Sequence, residues 1–368
     1  MSVDIGIIGL SKSGKTTIFN GLTRGKAATG VYSTKSQTAN IGMATVPDNR
    51  LYQLAEIFHP RKIVHAEVKY IDIGASLKEM AVDKGIGGQL LNQLSNVDLL
   101  INVVRSFKND SIPHPEGSID VVRDIEAMNM ELAFSDLSIL ERRLERITNS
   151  LKSAKPAERQ LIQKEQETLQ KIKENLEKDI PIREMQLTPD EVRAISNYQF
   201  LTAKPLLTVV NIGEDELPSF KSIETDLNAR FGRPGHRIIA SCGKLEMELS
   251  QLGEDVMRDF RKEFGMEESG LDRTIRVSYE LLDLISFLTV GEDECRAWPI
   301  KKGTEAVKAA GKIHTDIERG FIRAEVINYQ DLLKCGSLAE AKRQGLLRLE
   351  GKTYIVQDGD VINFLFNV

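Results

Sequence analysis

The chain has few cysteines and no long apolar run. Its 368 residues include only three cysteines, Cys242, Cys295 and Cys335, which lie too far apart for the usual paired spacing of metal ligands. An odd number of thiols suits a reducing compartment, so we expect a cytoplasmic protein. No apolar stretch approaches the roughly 20 residues that span a bilayer, and the first ten residues lack a charged leader. We expect neither membrane insertion nor secretion.

An excess of positive charge is also missing. The net charge is −5, which argues against wholesale wrapping by nucleic acid, because phosphate binding draws most of its affinity from Lys and Arg. Any RNA contact would have to be a local patch. Apolar residues make up 41% and charged residues 28% of the chain, an ordinary balance for a globular protein. The length allows two or three domains.

The N-terminal segment carries a phosphate-binding pattern. Gly9-Leu-Ser-Lys-Ser-Gly14-Lys15-Thr16 follows an apolar run and precedes a helical pattern, which is the context that a phosphate loop requires. Backbone N–H groups and the helix N-terminus offer partial positive charge to phosphate oxygens. We expect Lys15 to bridge the β- and γ-phosphates and Thr16 to bind Mg²⁺. The predicted nucleotide contacts here are Gly9, Ser11, Lys12, Ser13, Gly14, Lys15, Thr16 and Thr17.

Four further apolar runs, at 68–73, 97–105, 205–211 and 237–241, are nearly continuous in Val, Ile and Leu. Such runs are typical of parallel strands that are covered on both faces, so we predict a doubly wound α/β sheet. Asp72 ends the first run, where a carboxylate would reach the same metal ion as Thr16. The predicted catalytic set is therefore Lys15, Thr16 and Asp72.

The signal for base recognition is Asn211-Ile-Gly-Glu214, just beyond the run 205–211. Guanine-specific enzymes carry Asn-Lys-x-Asp there, because a carboxylate accepts from N1–H and N2–H₂ of guanine, whereas adenine presents an acceptor at N1. We therefore expect ATP as the substrate and keep GTP as a second candidate. The predicted base contacts are Asn211, Ile212 and Glu214, with Ser241 and Cys242 behind the base.

Between the runs 97–105 and 205–211 lies a charged segment with helical spacing. Apolar residues step by three and four, which predicts two helices broken near Pro156 and folded back as an antiparallel hairpin. It is either a solvated arm without chemistry or an arm that docks a partner. The residues of this seam are Leu137, Leu140, Leu144, Ile147, Leu151, Ile162, Leu169, Ile172 and Leu176.

From about Ile285 the pattern predicts a small mixed α/β module. We expect strands at 294–300, 323–327 and 354–356, a helix at 304–314, a tight turn at Asp358-Gly359 and a last strand after it. Basic residues in this tail form either an RNA-facing patch or solvated surface charge. They are Lys301, Lys302, Lys308, Lys312, His314, Arg319 and Arg323.

Several motifs together resemble the Obg-like ATPase (YchF) family over nearly the whole chain. They are Val46-Pro-Asp-x-Arg50-Leu51, Gly85-Ile-Gly87, Arg296-Ala-Trp298, Ala309-Ala-Gly-Lys-Ile-His-Thr-Asp316, Gly320-Phe-Ile-Arg-Ala-Glu325, Gln357-Asp-Gly-Asp-Val361 and Phe364-x-Phe-Asn-Val368. The resemblance implies a P-loop G-domain in two parts, 1–124 and 201–284, a helical coiled-coil insertion at 125–200 and a ubiquitin-like TGS domain at 285–368. It also implies ATP preference through Asn-x-x-Glu, slow hydrolysis without the usual catalytic glutamine, and association with ribosomes or stress responses.

The chain departs from the family pattern in both switch segments. Its first switch reads Ser36-Gln-Thr-Ala-Asn40-Ile-Gly42, in which Ser36 keeps a hydroxyl and is the third predicted Mg²⁺ ligand. Its second reads Asp72-Ile-Gly74-Ala75, with the glycine one place earlier than in Asp-x-x-Gly. We therefore hold three functions open: a slow ATPase switch, a nucleotide-binding module with little hydrolysis, and a small-molecule kinase. We expect a monomer that contacts ribosome or RNA through the arm and the tail.

Overall fold

The computed structural model describes residues 3–25, 39–73, 86–152, 155–249 and 268–367. These residues form two compact units. The larger unit contains Val3–Met43 and Lys69–Val277, and the smaller unit contains Ala44–Val68 together with the described chain from Ser278 onward. None of the described helices is both long enough and apolar enough to cross a membrane. The four domain segments predicted along the chain remain a prediction.

Helices and strands alternate along most of the chain. In order, they are β1 Val3–Ile8, α1 Lys15–Thr23, β2 Asn40–Thr45, α2 Asn49–Phe58, β3 Lys62–Val64, β4 Glu67–Asp72, α3 Ile86–Ser95, β5 Leu99–Arg105, α4 Val121–Leu151, α5 Pro156–Leu176, α6 Pro189–Ile195, β6 Leu206–Asn211, α7 Phe220–Phe231, β7 His236–Ser241, α8 Gly243–Leu249, α9 Gly270–Leu281, β8 Leu284–Thr289, β9 Glu294–Lys301, α10 Ala306–Ile313, α11 Thr315–Arg319, β10 Phe321–Asn328, α12 Tyr329–Cys335, α13 Leu338–Arg343, β11 Arg348–Glu350 and β12 Asp360–Phe366. Short 3₁₀ segments lie at 182–184, 196–198, 201–203 and 214–219.

The larger unit is built on a sheet with the strand order β2-β4-β1-β5-β6-β7. The strands β1, β5, β6 and β7 pair in parallel, for example through Ile5 opposite Leu99 and Val209 opposite Ile239. All residues of β5 and β6 are buried, as expected for strands covered on both faces. The predicted parallel α/β sheet is confirmed. Its carboxyl edge collects the loop after β1 and the ends of β4, β5, β6 and β7.

The helical hairpin formed by α4 and α5 confirms the predicted break. The nine apolar residues of the predicted seam are all buried or partly buried in one cluster, with Ile182, Ile195 and Phe200 added from the following segments. Arg143 donates two hydrogen bonds of 2.8 Å to Glu165 across the two helices. Tyr198 donates to the same carboxylate. The paired bonds fix the register of the two helices.

A buried carboxylate holds the root of this hairpin. Asp136 of α4 is fully buried and accepts hydrogen bonds from the backbone N–H of Leu201 and Thr202 at 2.9 and 2.8 Å. The hydroxyl of Thr202 donates to the same side chain at 2.7 Å. Burial raises the pKa of Asp136 to about 6, although these three donors and Lys204 oppose the rise. The carboxylate thus ties α4 to the segment that leads into β6.

The smaller unit has a second sheet with the order β11-β10-β12-β8-β9-β3. Its core on one face joins Phe287, Phe321 and Phe364 to the alanines of α10. The predicted helix and the strands at 294–300 and 323–327 are confirmed. The predicted strand at 354–356 is wrong. Ile355 makes only an isolated bridge to Glu305, and the edge strand β11 lies earlier, at Arg348–Glu350, where charged residues obscure the apolar alternation.

Two sequence motifs meet in the smaller unit. Asp48 caps α2 and accepts hydrogen bonds from the Arg50 backbone N–H and guanidinium, while Arg50 Nη1 donates to Asp358 at 2.8 Å. The other oxygen of Asp358 accepts from Ser286 N. At Gly359, where φ is +80°, an added Cβ would lie 2.8 Å from Tyr329. The predicted turn is therefore confirmed, and it closes on a segment more than 300 residues earlier.

We predict that Asp136→Asn destabilises the protein less as the pH rises. The folded pKa of about 6 lies above the ordinary 3.8, so the stabilisation from protonating Asp136 is complete below about pH 4 and is lost as the pH rises through 6. The asparagine cannot titrate. The difference in unfolding free energy between wild type and variant, from urea titrations at pH 4.5 and 7.5, should shrink by roughly 2 kcal/mol. An unchanged difference would contradict the raised pKa.

Candidate nucleotide-binding site

The loop after β1 has the conformation that a phosphate cradle needs. Gly9, Lys12 and Gly14 have φ angles of +145°, +64° and +94°. An added Cβ at Gly9 would lie 2.4 Å from the carbonyl oxygen of Val103, and at Gly14 it would lie 2.2 Å from Nδ2 of Asn211. Neither position has room for a side chain. The glycines therefore let the loop turn back over the sheet edge and enter α1 at Lys15.

Lys15 lies inside this loop rather than in solvent. The side chain is 6% exposed, and its ammonium donates to the carbonyl oxygens of Gly9 and Leu10 at 2.9 and 3.1 Å. A buried ammonium held by loop carbonyls is strongly attracted to anions that enter the same cradle. Ser11 and Thr17 are partly buried, Ser13 is buried, and the side chain of Lys12 is exposed.

Asp72, Thr16 and Asn40 form the second part of the site. The Thr16 hydroxyl and the Asn40 amide donate to Asp72 Oδ2 at 2.9 and 3.1 Å. Asp72 is fully buried, and its other oxygen, Oδ1, has no hydrogen-bond partner in the described part of the chain. A buried carboxylate oxygen beside a hydroxyl is a ligand set that suits a hard cation such as Mg²⁺. The predicted pair Thr16 and Asp72 is therefore brought together, and it fits the metal.

Asn211 joins the phosphate loop to the loop after β7. Its side chain is buried, donates to the carbonyl of Ser13 at 3.0 Å and accepts from Gly243 N at 3.0 Å. Since both halves of the carboxamide are used, its orientation is fixed. The carbonyl of Asn211 also accepts from the N–H groups of Ser106 and Phe107. One residue thus positions the loops that follow β1, β5 and β7.

The remaining predicted base residues lie nearby but differ in exposure. Ile212 is 2% exposed and belongs to an apolar cluster, and its N–H already donates to Ser241 O at 3.1 Å. Glu214 is exposed and forms an ion pair of 3.1 Å with Lys244. Ser241 and Cys242 are buried, and burial raises the pKa of the Cys242 thiol. The side chain of Ile212 is therefore used in core packing, which leaves only its backbone groups for a ligand contact.

The sequence interpretation assigned no role to three residues at this edge. Asn40 contacts Asp72. Arg105 ends β5, donates to the carbonyls of Phe107, Asn109 and Ile112, and lies 4.5 Å from the Phe107 ring centre. Phe107 in turn lies beside Gly14 and Asn211. The sequence signal that could have identified Arg105 is its place at the end of an otherwise apolar strand, because a charge there needs partners close by. The predicted ligand Ser36 and the segment Gly74–Ser76 lie outside the described residues.

A parallel α/β sheet with this loop, the buried carboxylate and the asparagine at its carboxyl edge defines a P-loop NTPase of the G-domain class. Family models agree. The model described as "50S ribosome-binding GTPase" matches residues 4–140, and the YchF C-terminal model, described as a protein of unknown function, matches residues 284–367.

Full-length relatives identify the family. The chain is 40% identical to the "Ribosome-binding ATPase YchF" of Bacillus subtilis strain 168 and 37% identical to that of Escherichia coli O157:H7, with all of each chain covered. A solved structure, the Schizosaccharomyces pombe YchF GTPase, is similar with a TM-score of 0.83 and 29% identity over 99% of this chain and 98% of that one. The chain belongs to the YchF family.

We predict that Gly14→Ala removes nucleotide binding and destabilises the protein by at least about 2 kcal/mol, because it combines left-handed strain with a collision with Asn211. Gly303→Ala is the matched control. Gly303 has a φ of +84° and nothing within 4 Å of an added Cβ, so it should cost only about 1 kcal/mol of strain. Urea unfolding and titration with a fluorescent nucleoside triphosphate measure the two effects. Equal effects of both substitutions would rule out the steric argument.

Proposed function

We propose that this protein is an ATPase switch that binds ATP with Mg²⁺ in the loop 9–17, hydrolyses it slowly and associates with the ribosome. The observation that carries the proposal is the arrangement of Lys15, Thr16, Asp72 and Asn211 around one loop. The bacterial relatives named ribosome-binding ATPases supply the partner and the reaction class.

The phosphates would lie in the cradle of loop N–H groups at the start of α1. Lys15 would exchange its two carbonyl acceptors for phosphate oxygens, which are stronger acceptors because they are charged. Thr16 and Asp72 would hold Mg²⁺, directly or through water, and Ser36 is proposed as a further ligand. Bound Mg²⁺ would neutralise charge on the phosphates.

Selection of adenine would rest on the backbone around Ile212. Its N–H is already used by Ser241, so the group that can face the base is a carbonyl, an acceptor. The exocyclic amine of adenine donates to such an acceptor, whereas O6 of guanine would repel it. Glu214 is paired with Lys244, which reduces its capacity to accept from guanine N1–H and N2–H₂. ATP is therefore favoured over GTP.

We infer slow ATP turnover from the residues that the second switch lacks. The sequence from Asp72 to Met80 has no glutamine or histidine that could orient an attacking water. Positioning by Lys15 and the metal site alone supports phosphoryl transfer at a reduced rate, because the protein contributes mainly electrostatics to this reaction.

The proposal is tested by titrating the protein with ATP and GTP in the presence of Mg²⁺. We expect tighter ATP binding, and Lys15→Ala should weaken it about 100-fold through the loss of charged hydrogen bonds. Lys178→Ala, which removes an exposed ammonium from outside the loop, should leave affinity within about twofold. ATP turnover that is measurable in the wild type and abolished in Lys15→Ala would support the switch. Tight binding without turnover would favour the non-hydrolysing module, and equal GTP affinity would refute the base argument.

For the metal site we predict that Asp72→Asn raises the Mg²⁺ concentration needed for tight ATP binding by about 10- to 100-fold. The variant keeps an oxygen that can accept from Thr16 but loses the negative charge that holds the cation. Affinity for ATP measured in EDTA should stay close to that of wild type. Asp190→Asn, at an exposed carboxylate of the helical region, is the control and should change neither value. If Asp72→Asn had a normal Mg²⁺ requirement, Asp72 would not be a ligand of the metal.

A further inference from the structure

The charges of the helical hairpin are divided between its two ends. Between residues 142 and 164, which form its tip, the sequence has seven arginines or lysines and two glutamates. Between 121 and 141 it has one arginine and five acidic residues, and between 165 and 180 it has three lysines and five acidic residues. A chain with a net charge of −5 therefore gathers positive charge at one tip.

Most of the cations at this tip lack an ion-pair partner within the described chain. One of the seven, Arg143, is paired with Glu165, whereas the other six are exposed and form no ion pair with any described residue. Where they make hydrogen bonds, the acceptors are uncharged, such as Ser138 O for Arg142 and Leu151 O for Arg159. We call these six residues the tip cations. They are Arg142, Arg146, Lys152, Lys155, Arg159 and Lys164.

Cations nearer the root behave differently. Lys171 pairs with Glu191 at 2.9 Å, and Lys173 lies 3.5 Å from Glu141. Both lysines of α5 beyond Glu165 are thus paired with a carboxylate, whereas six of the seven tip cations are not. A difference in solvent exposure cannot explain this, because Lys171 is also exposed.

Helix stability does not account for the tip cations. Arg142 and Arg146 are like charges four residues apart within α4, which destabilises a helix by a few tenths of a kcal/mol. Lys155 caps the N-terminus of α5 without a side-chain hydrogen bond, where the helix dipole disfavours a cation. Of the tip cations, Lys152 at the C-cap of α4 is placed where the dipole favours a cation, so helix stability explains that residue but not Arg142, Arg146 or Lys155.

We propose that this tip is an RNA-binding surface whose six cations contact the phosphate backbone. From Arg142 to Lys152 the charges extend about 15 Å along the helix axis, which suits a row of phosphates rather than one anionic group. Three of the six are arginines, whose guanidinium groups bind phosphate through two donors. The class of partner rests on the proposed ribosome association, to which the tip adds the contact site and its chemistry.

The test compares two triple variants of the full-length protein that have the same net charge. Arg146→Gln, Lys152→Gln and Arg159→Gln remove half of the tip cations. Lys178→Gln, Arg193→Gln and Lys221→Gln remove three exposed cations elsewhere. A fluorescein-labelled RNA hairpin is titrated with each protein by fluorescence anisotropy between about 50 and 200 mM KCl. Melting temperature and ATP affinity are measured for both, so that loss of folding or of nucleotide binding is detected separately.

We expect the tip variant to bind the hairpin about 30-fold more weakly than wild type and to reduce the slope of log affinity against log salt by about 2 to 3. The control variant should stay within about twofold of wild type. Equal losses in both variants, or no loss in the tip variant, would overturn the proposal. Sedimentation with purified 50S subunits distinguishes a contact with RNA from a contact with a ribosomal protein. If the tip variant loses the subunit but binds the hairpin normally, the partner is a ribosomal protein and the proposal fails.

Discussion

The site depends on the hydrogen bonds of one buried residue, Asn211. It binds the Ser13 carbonyl of the phosphate loop and the Gly243 N–H after β7, and its own carbonyl receives the loop after β5. The side chain and the backbone carbonyl of this one residue therefore join three loops at the carboxyl edge of the sheet. Because an added Cβ at Gly14 would lie 2.2 Å from the Asn211 amide nitrogen, a larger residue at position 14 would disturb these contacts.

Much of this architecture could be predicted from the sequence, and the physical reasons for this also explain why the rest could not be predicted. Strands β5 and β6 are covered on both faces, so their sequences are unbroken apolar runs. The hairpin seam repeats with helical spacing. Arg105 and Phe107, in contrast, act through a loop that has no periodicity, and β11 is an edge strand whose exposed charges conceal it. The buried position of Ile212 also required the structure, since a loop residue gives no sign of which side faces the core.

In the smaller unit, segments that are far apart in the sequence are neighbours in the fold. Segment 44–68 precedes most of the larger unit in sequence, yet β3 pairs with β9 and Arg50 reaches Asp358. Two motifs that carried the family resemblance are thus halves of one hydrogen-bond network around Arg50. Sequence alone shows each motif but not the pairing, because the residues are separated by 308 positions.

The single helix α4 runs through 31 residues, from the edge of the sheet to the hairpin tip, and is fixed at Asp136 about midway. The part beyond that fixed point is about 22 Å long. A rigid rod of this length converts rotation into displacement, so a tilt of about 10° at Asp136 moves its far end by about 4 Å. A tilt of α4 about the segment 201–203 would therefore displace the tip by more than the length of a hydrogen bond.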